Sequence, residues 1–254
     1  MINDNKLTLS NNIALFQENN IRVIIISIKS MGEKMEKGLF ITFEGIDGSG
    51  KSTQLELLEE DLNKAKIDFL IIREPGGTLI SEQIRQILLD GKNQEMTPET
   101  ELLLFEAARA QLVNQVVLPA LNEGKMVISD RFFDSTTAYQ GFGRNKDVDF
   151  IQKLNTFATK DLMPDLTFYF DISLSTALKR LNARKHKSDR LDIEGENFLE
   201  KTRQGYLKIA ASDRDRVKII NAELTVDEVY KELKSYLVQV IEMGETNEIN
   251  SSHC

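Results

Sequence analysis

Five short apolar runs recur along the chain, at residues 39–43, 69–73, 126–130, 166–171 and 217–221. Most are β-branched or aromatic and nearly unbroken by polar residues, the pattern of strands buried on both faces of a parallel sheet. Helical patterns fill the intervals. Thr97-Pro98 supplies an N-cap and a first-turn proline to a long helix ending near Asn122. Thr225-Val226-Asp227-Glu228 reads as a capping box opening the last helix. The alternation predicts an α/β fold, a doubly wound five-stranded parallel sheet flanked by helices. Ligand sites in that architecture lie beyond the carboxyl ends of the strands. The long helix is also apolar on more than one side, through Leu103, Leu104, Ala107, Leu112, Val116 and Val117. One face can pack on the sheet and another on a second subunit, so a homodimer through residues 98–122 is expected.

The segment after the first strand is chemically specific. Gly45-Ile46-Asp47-Gly48-Ser49-Gly50-Lys51-Ser52-Thr53 fits G-x-x-x-x-G-K-[ST], with an apolar run leading in and the helical segment Gln54-Leu55-Glu56-Leu57-Leu58 leading out. Backbone N–H groups in such a loop converge on an anion, and the following helix adds its positive end. Lys51 supplies charge to the β- and γ-phosphates of a nucleotide, and Ser52 offers its hydroxyl to Mg²⁺.

Two further strands end in charged residues. The second exits into Arg73-Glu74-Pro75-Gly76-Gly77-Thr78 and the third into Asp130-Arg131. Because strand ends converge, these predict a second anion site beside the loop. Arg73 could instead serve only as half of a surface salt bridge. Asp130 resembles a metal-supporting carboxylate; the alternative is that it holds Lys51 or caps a turn. Arg131 can grip a second phosphate bidentately. Phe105 and Arg109, four apart on the long helix, form an aromatic plate and a donor suited to a base, or else a core ring and an unrelated arginine. The charge-dense stretch 184–192, with Arg184 and Arg190, is either a solvated loop or a mobile lid closing over the transferring phosphoryl group.

Composition narrows the partners. The 254 residues carry a formal net charge of -8, which argues against nucleic acid as the main partner. Cys254 is the only cysteine, so no intrachain disulfide forms and a reducing, cytoplasmic setting is expected. No apolar run approaches a membrane span. Residues 1–34 are rich in Asn, Ile and Ser and lie ahead of the first strand. They are expected to be a dispensable extension, with Met31 and Met35 as alternative starts; an added edge strand near residues 21–28 is the alternative. The domain is expected over 35–243, with a polar, frayed tail at 244–254.

Taken together these residues resemble the bacterial type of thymidylate kinase, a family of P-loop nucleoside monophosphate kinases. The resemblance rests on Phe43-Glu44 together with the glycine loop 45–53, on Arg73-Glu74-Pro75-Gly76-Gly77-Thr78, on Asp130-Arg131-Phe132 and on Ser135-Thr136-Thr137-Ala138-Tyr139-Gln140-Gly141. It implies transfer of a phosphoryl group from ATP to dTMP with Mg²⁺ as cofactor. It casts Arg73 and Arg131 as grips on the acceptor monophosphate, Phe105 as a plate on thymine and Arg109 as a donor to the base edge. Ser135, Thr136 and Gln140 fall where the family contacts the nucleotide. Tyr139 resembles the residue that crowds the sugar 2′ position, and Asp47 the loop carboxylate that positions sugar or Mg²⁺. Gly48 stands where some members carry an arginine; the resemblance then implies that Arg184 or Arg190 supplies that charge. Phe132 replaces the Tyr or His common at its position. The remaining alternatives are a kinase for another nucleoside monophosphate or a deoxynucleoside, and a nucleotide-dependent switch. For the switch, Asn145-Lys146-Asp147-Val148 lacks the fourth-position Asp of a guanine reader.

Overall fold

The structure is a computed structural model that describes residues 38–183 and 195–251, with side chains described to residue 239. The expected extension 1–34 and the stretch 184–192 fall outside the described residues.

Strands β1 (Phe40–Glu44), β2 (Phe69–Arg73), β3 (Met126–Asp130), β4 (Leu166–Asp171) and β5 (Val217–Asn221) form one parallel sheet in the order β2-β3-β1-β4-β5. All five lie where the apolar runs place them. β1 is central, and the chain winds to one side through β2 and β3, then to the other through β4 and β5. The carboxyl ends of β1 and β3, side by side at this reversal, therefore open one crevice.

Both faces of the sheet are covered. On one face α1 (Lys51–Ala65) and the last helix bury Leu55, Leu58, Leu62, Leu233 and Leu237 against Ile41, Phe43, Phe168 and Phe170. On the other, Phe40 and Val127 pack with Leu112, Val113, Val117 and Phe132. Alternate residues of β1 thus point into opposite cores. A third cluster, Tyr139, Tyr169, Phe198 and Tyr206, fills the space under the helix Glu196–Ser212. Each fully buried large side chain contributes roughly 1.5–3 kcal/mol to folding.

The remaining helices are α2 (Leu79–Leu89), α3 (Pro98–Leu112), α4 (Leu118–Asn122), α5 (Phe133–Thr136), α6 (Val148–Thr159), α7 (Leu174–Ala183), α8 (Glu196–Ser212) and α9 (Val226–Ser251). Thr97 caps α3 by accepting from the Thr100 N–H, with Pro98 in its first turn. The capping box also forms: the Thr225 N–H donates to Glu228 and the Glu228 N–H to Thr225 Oγ1. Two expectations are corrected. The helix expected to run unbroken over 98–122 divides into α3, a wider π-helical turn (Val113–Val117) and α4. Pro119 explains the division, since it has no N–H for the carbonyl four residues back and its ring would strike that carbonyl in a regular α-helix. The polar stretch from Met243 is drawn into α9 as far as Ser251 rather than fraying.

Candidate active site

The glycine loop adopts the backbone its residues suggest. Gly45, Gly48 and Gly50 all have positive φ, which only glycine adopts without strain. Gly48 is also sterically fixed. A Cβ there would lie 2.6 Å from the Ala177 carbonyl oxygen on α7. An arginine at position 48 is therefore excluded unless α7 moves. In its place Arg180, from the same helix, donates to the Gly48 carbonyl at 3.4 Å and to Ala222 at 2.9 Å. Lys51 is buried at the head of α1 and donates from Nζ to the carbonyls of Gly45 (2.9 Å) and Ile46 (3.4 Å). Burial, reinforced by Arg131, holds its pKa below the ordinary lysine value. The loop encloses a cavity of about 150 Å³ lined by Gly48, Gly50, Lys51, Ser52 and Leu181 together with Asp47, Asp130 and Arg131.

A second cavity, about 230 Å³, lies beside it and contains Arg73, Phe105, Arg109, Ser135, Thr136, Tyr139 and Gln140. Asp47, Asp130 and Arg131 line this one too. The two pockets thus meet at one carboxylate-guanidinium junction. There Arg131 Nη2 donates to Asp47 Oδ1 at 2.8 Å. Arg131 has φ 71, a conformation that costs a non-glycine residue about 1–3 kcal/mol and that clusters at functional sites. Its charge is secure: burial pulls the pKa down, but Tyr139 and Asp47 outweigh it and leave the value well above the ordinary one. Asp130 Oδ1 is buried without a hydrogen-bond partner, and Ser52 shares its cavity. An orphaned carboxylate oxygen that shares a cavity with a hydroxyl and the glycine loop is a donor set suited to a hard cation such as Mg²⁺.

The walls of the larger cavity are organised from several elements. Arg73, at the end of β2, pairs with Glu82 at 3.0 Å and donates to the Pro75 carbonyl, so it makes the salt bridge and lines the cavity at once. Arg109 is only 2 % exposed. Its Nε and Nη2 bind Glu74, and its Nη1 reaches Glu106 (2.5 Å), Thr136 (3.0 Å) and Asn155 (3.1 Å). Of its five N–H donors, at most one on Nη2 is left for a ligand. Glu74 is pushed up to about 7, by burial against the opposing pull of Arg109. Gln140 donates to the buried Glu101 at 2.9 Å. Tyr139 and Gln140 lie on a second π-helical segment, Thr137–Gly143, a distortion that recurs at functional sites because it re-aims side chains.

Some residues at the site were given no role by the sequence. Arg85 on α2 lines the larger cavity beside Arg73. Arg180 touches the loop, and its only sequence signal is its place in the last turn of a helix. Glu44 and Tyr206 meet beneath Arg131. Glu44 carried a signal, as a carboxylate ending an otherwise apolar strand; Tyr206 carried none.

Comparison with known proteins decides the class. The family profile described as thymidylate kinase matches residues 43–233. The chain belongs to the thymidylate kinase family. A thymidylate kinase of Mycoplasma capricolum is 46% identical over 213 residues, covering 84% of this chain and 100% of that protein. One of Ligilactobacillus salivarius is 49% identical over 203 residues, covering 79% and 98%. One of Thermosipho africanus is 50% identical over 197 residues, covering 78% and 96%. Membership in the thymidylate kinase family makes the chain an enzyme, a nucleoside monophosphate kinase with the P-loop fold.

Proposed function

We propose that the two joined cavities carry out phosphoryl transfer from ATP to dTMP, giving ADP and dTDP, with the glycine loop as donor site and the larger cavity as acceptor site. The observation that carries this reading is the sharing of Asp47, Asp130 and Arg131 between the two cavities. A phosphoryl group passing between donor and acceptor must cross that junction. The residues 45–53 then hold ATP. Arg73 and Arg131 hold the acceptor phosphate, Phe105 faces the base, and Ser135, Thr136, Tyr139 and Gln140 enclose the rest of the nucleotide.

The acceptor oxygen belongs to a phosphate monoester whose second pKa is about 6, so it is already ionised at neutral pH. No strong general base is needed. The difficulty is electrostatic, because two anions must be aligned while charge shifts between them. Buried Lys51 and partly buried Arg131 answer it with cationic charge, and exclusion of water keeps the phosphoryl group from hydrolysis. Ser52 and Asp130 would hold Mg²⁺, which neutralises phosphate charge when bound. Arg184 and Arg190 complete the reading as lid charges, with Arg180 already at the loop to anchor the helix that leads to them.

The subunit is proposed to work as a homodimer in the cytoplasm. α3 packs between α2 and α6, and all three carry exposed apolar side chains: Leu79 (87 %), Leu103 (56 %) and Phe157 (82 %). Among the described residues no helix is long and apolar enough to cross a membrane.

A coupled ADP-release assay over a panel of nucleoside monophosphates and nucleosides tests the reaction. The expected result is a preference for dTMP with measurable use of dUMP, because one methyl group provides only about 1–3 kcal/mol of discrimination. No activity with any acceptor would overturn this reading of the site.

A further inference from the structure

Directly under Arg131 lies a set of hydrogen bonds centred on Glu44 and Tyr206, two residues that the reaction scheme does not use. Glu44, the last residue of β1, is fully buried. Its Oε1 accepts from the Phe132 N–H at 2.7 Å. Its Oε2 accepts from Ser135 Oγ at 2.5 Å and from the Tyr206 hydroxyl at 2.8 Å. Ser135 Oγ and the Tyr206 hydroxyl are themselves 2.8 Å apart. Arg131 Nη1 donates to both, at 3.3 Å and 3.5 Å. Tyr206 is held in turn by stacking on Tyr169, centroids 4.9 Å apart, and by an edge contact with Tyr139.

This arrangement is specific in where its ends lie. Glu44 immediately precedes Gly45, so its backbone continues into the donor-phosphate loop. Its side chain grips the residue after Arg131 and the hydroxyls that Arg131 Nη1 rests on. The Arg131 backbone is fixed from the same strand, since its N–H donates to the Phe43 carbonyl at 2.9 Å. We propose that Glu44, Ser135 and Tyr206 are positioning residues that hold Arg131 in register with the donor loop, so that one carboxylate couples the two phosphate sites. The proposal rests on the phosphoryl-transfer reading above. It also gives the strained Arg131 backbone a purpose: the guanidinium must point back across the junction, and an unbraced arginine there would relax away.

The balance of donors agrees. When both hydroxyl protons are given to Glu44 Oε2, the Ser135 and Tyr206 oxygens are left as acceptors, and Arg131 Nη1 is the donor that reaches both. Removing the Tyr206 hydroxyl leaves Glu44 and Arg131 each short of a partner while the ring still fills the space.

The test is Tyr206→Phe in the full chain, alone and combined with Arg131→Met. Initial rates are measured against dTMP and ATP separately, with melting temperatures alongside. The expected result is a loss of about 10-fold to 100-fold in kcat/KM for dTMP, the scale of a lost charge-assisted hydrogen bond. The KM for ATP and the melting temperature stay near wild type. In the Arg131→Met background the same change has no further effect, because the residue it positions is gone. Equal losses in both backgrounds, or unchanged dTMP kinetics, would overturn the proposal. Should Tyr206→Phe lower the melting temperature sharply, Glu44→Gln provides the same comparison, since its amide keeps the shape but donates where the carboxylate accepts. An unchanged dTMP kcat/KM in that variant would overturn it equally. Wild-type protein that turns over other monophosphates but not dTMP would end the substrate reading and this proposal together. Active wild type with unaffected variants ends only the positioning role.

Discussion

Single residues at this site carry charge into places that disfavour it, and their environments say what each is for. Lys51 sits buried with a lowered pKa and, among the described residues, bonds to the carbonyl oxygens of Gly45 and Ile46. A cation so placed is costly in the ligand-free loop and suited to a polyphosphate. Lys51→Ala is therefore expected to abolish turnover while leaving the melting temperature unchanged or higher. Near-normal kcat would remove Lys51 from the mechanism. Glu44 shows the opposite sign. Burial first, then Asp134, pushes it up to about 7 in the folded chain, against 4.5 for an ordinary glutamate. The folded state therefore holds this proton more tightly than the unfolded state. The favourable contribution is complete below about pH 4.5, shrinks as pH rises, and is gone above about 7. Urea unfolding of wild type and Glu44→Gln should show wild type losing stability relative to the variant between pH 5 and pH 8. Parallel pH curves would contradict the buried, proton-binding Glu44.

At the scale of elements, the Arg73-to-Thr78 turn shows how a loop becomes a site by being tied down. Thr78 caps α2, accepting from the Ser81 N–H at 3.0 Å and donating to Ser81 Oγ at 2.8 Å. Ser81 Oγ then donates to the Ala108 carbonyl on α3. Glu82, one turn into α2, holds both Arg73 and the Gly77 N–H. Thr78→Ala removes the cap, a loss of about 1 kcal/mol. For a domain of this size that lowers the melting temperature by roughly 2–4 °C. Because α2 also orients Arg73, KM for dTMP should rise while KM for ATP holds. A melting curve identical to wild type would show that α2 does not depend on this cap. The divided helix makes a related point. The Thr97 cap and Pro98 were legible because capping is local, whereas the effect of Pro119 depends on how the chain accommodates a missing N–H inside a packed layer.

For the whole molecule, the dimer proposal turns on which apolar surface this chain leaves exposed. Leu112 and Val117, two of the side chains that suggested a two-sided helix, are fully buried in this chain's own core. Leu103 instead faces outward. The dimer expectation therefore narrows to the outer side of α3 and its neighbours. Light scattering should give twice the 28.9 kDa chain mass, and Leu103→Asp should shift the protein toward monomer with its fold intact. A monomeric wild type would end the dimer reading.

The strands, the α/β class and the phosphate loop were determined by sequence alone, because each is written in a short window. Apolar runs specify burial on both faces, glycines specify backbone angles, and strand ends in a parallel sheet converge wherever the chain winds. What only the tertiary structure decided is which distant group meets each buried charge. Arg109 looked like a free donor on a helix face, yet Glu74 and Asn155, from two other segments, engage most of its donors. Glu44 and Tyr206 are 162 positions apart and carry no shared pattern. Their meeting follows from α8 packing against the π-helical segment Thr137–Gly143 and against β4 and β5. A local window encodes how a segment folds and which side it buries; a buried polar contact depends on the final position of every element around it.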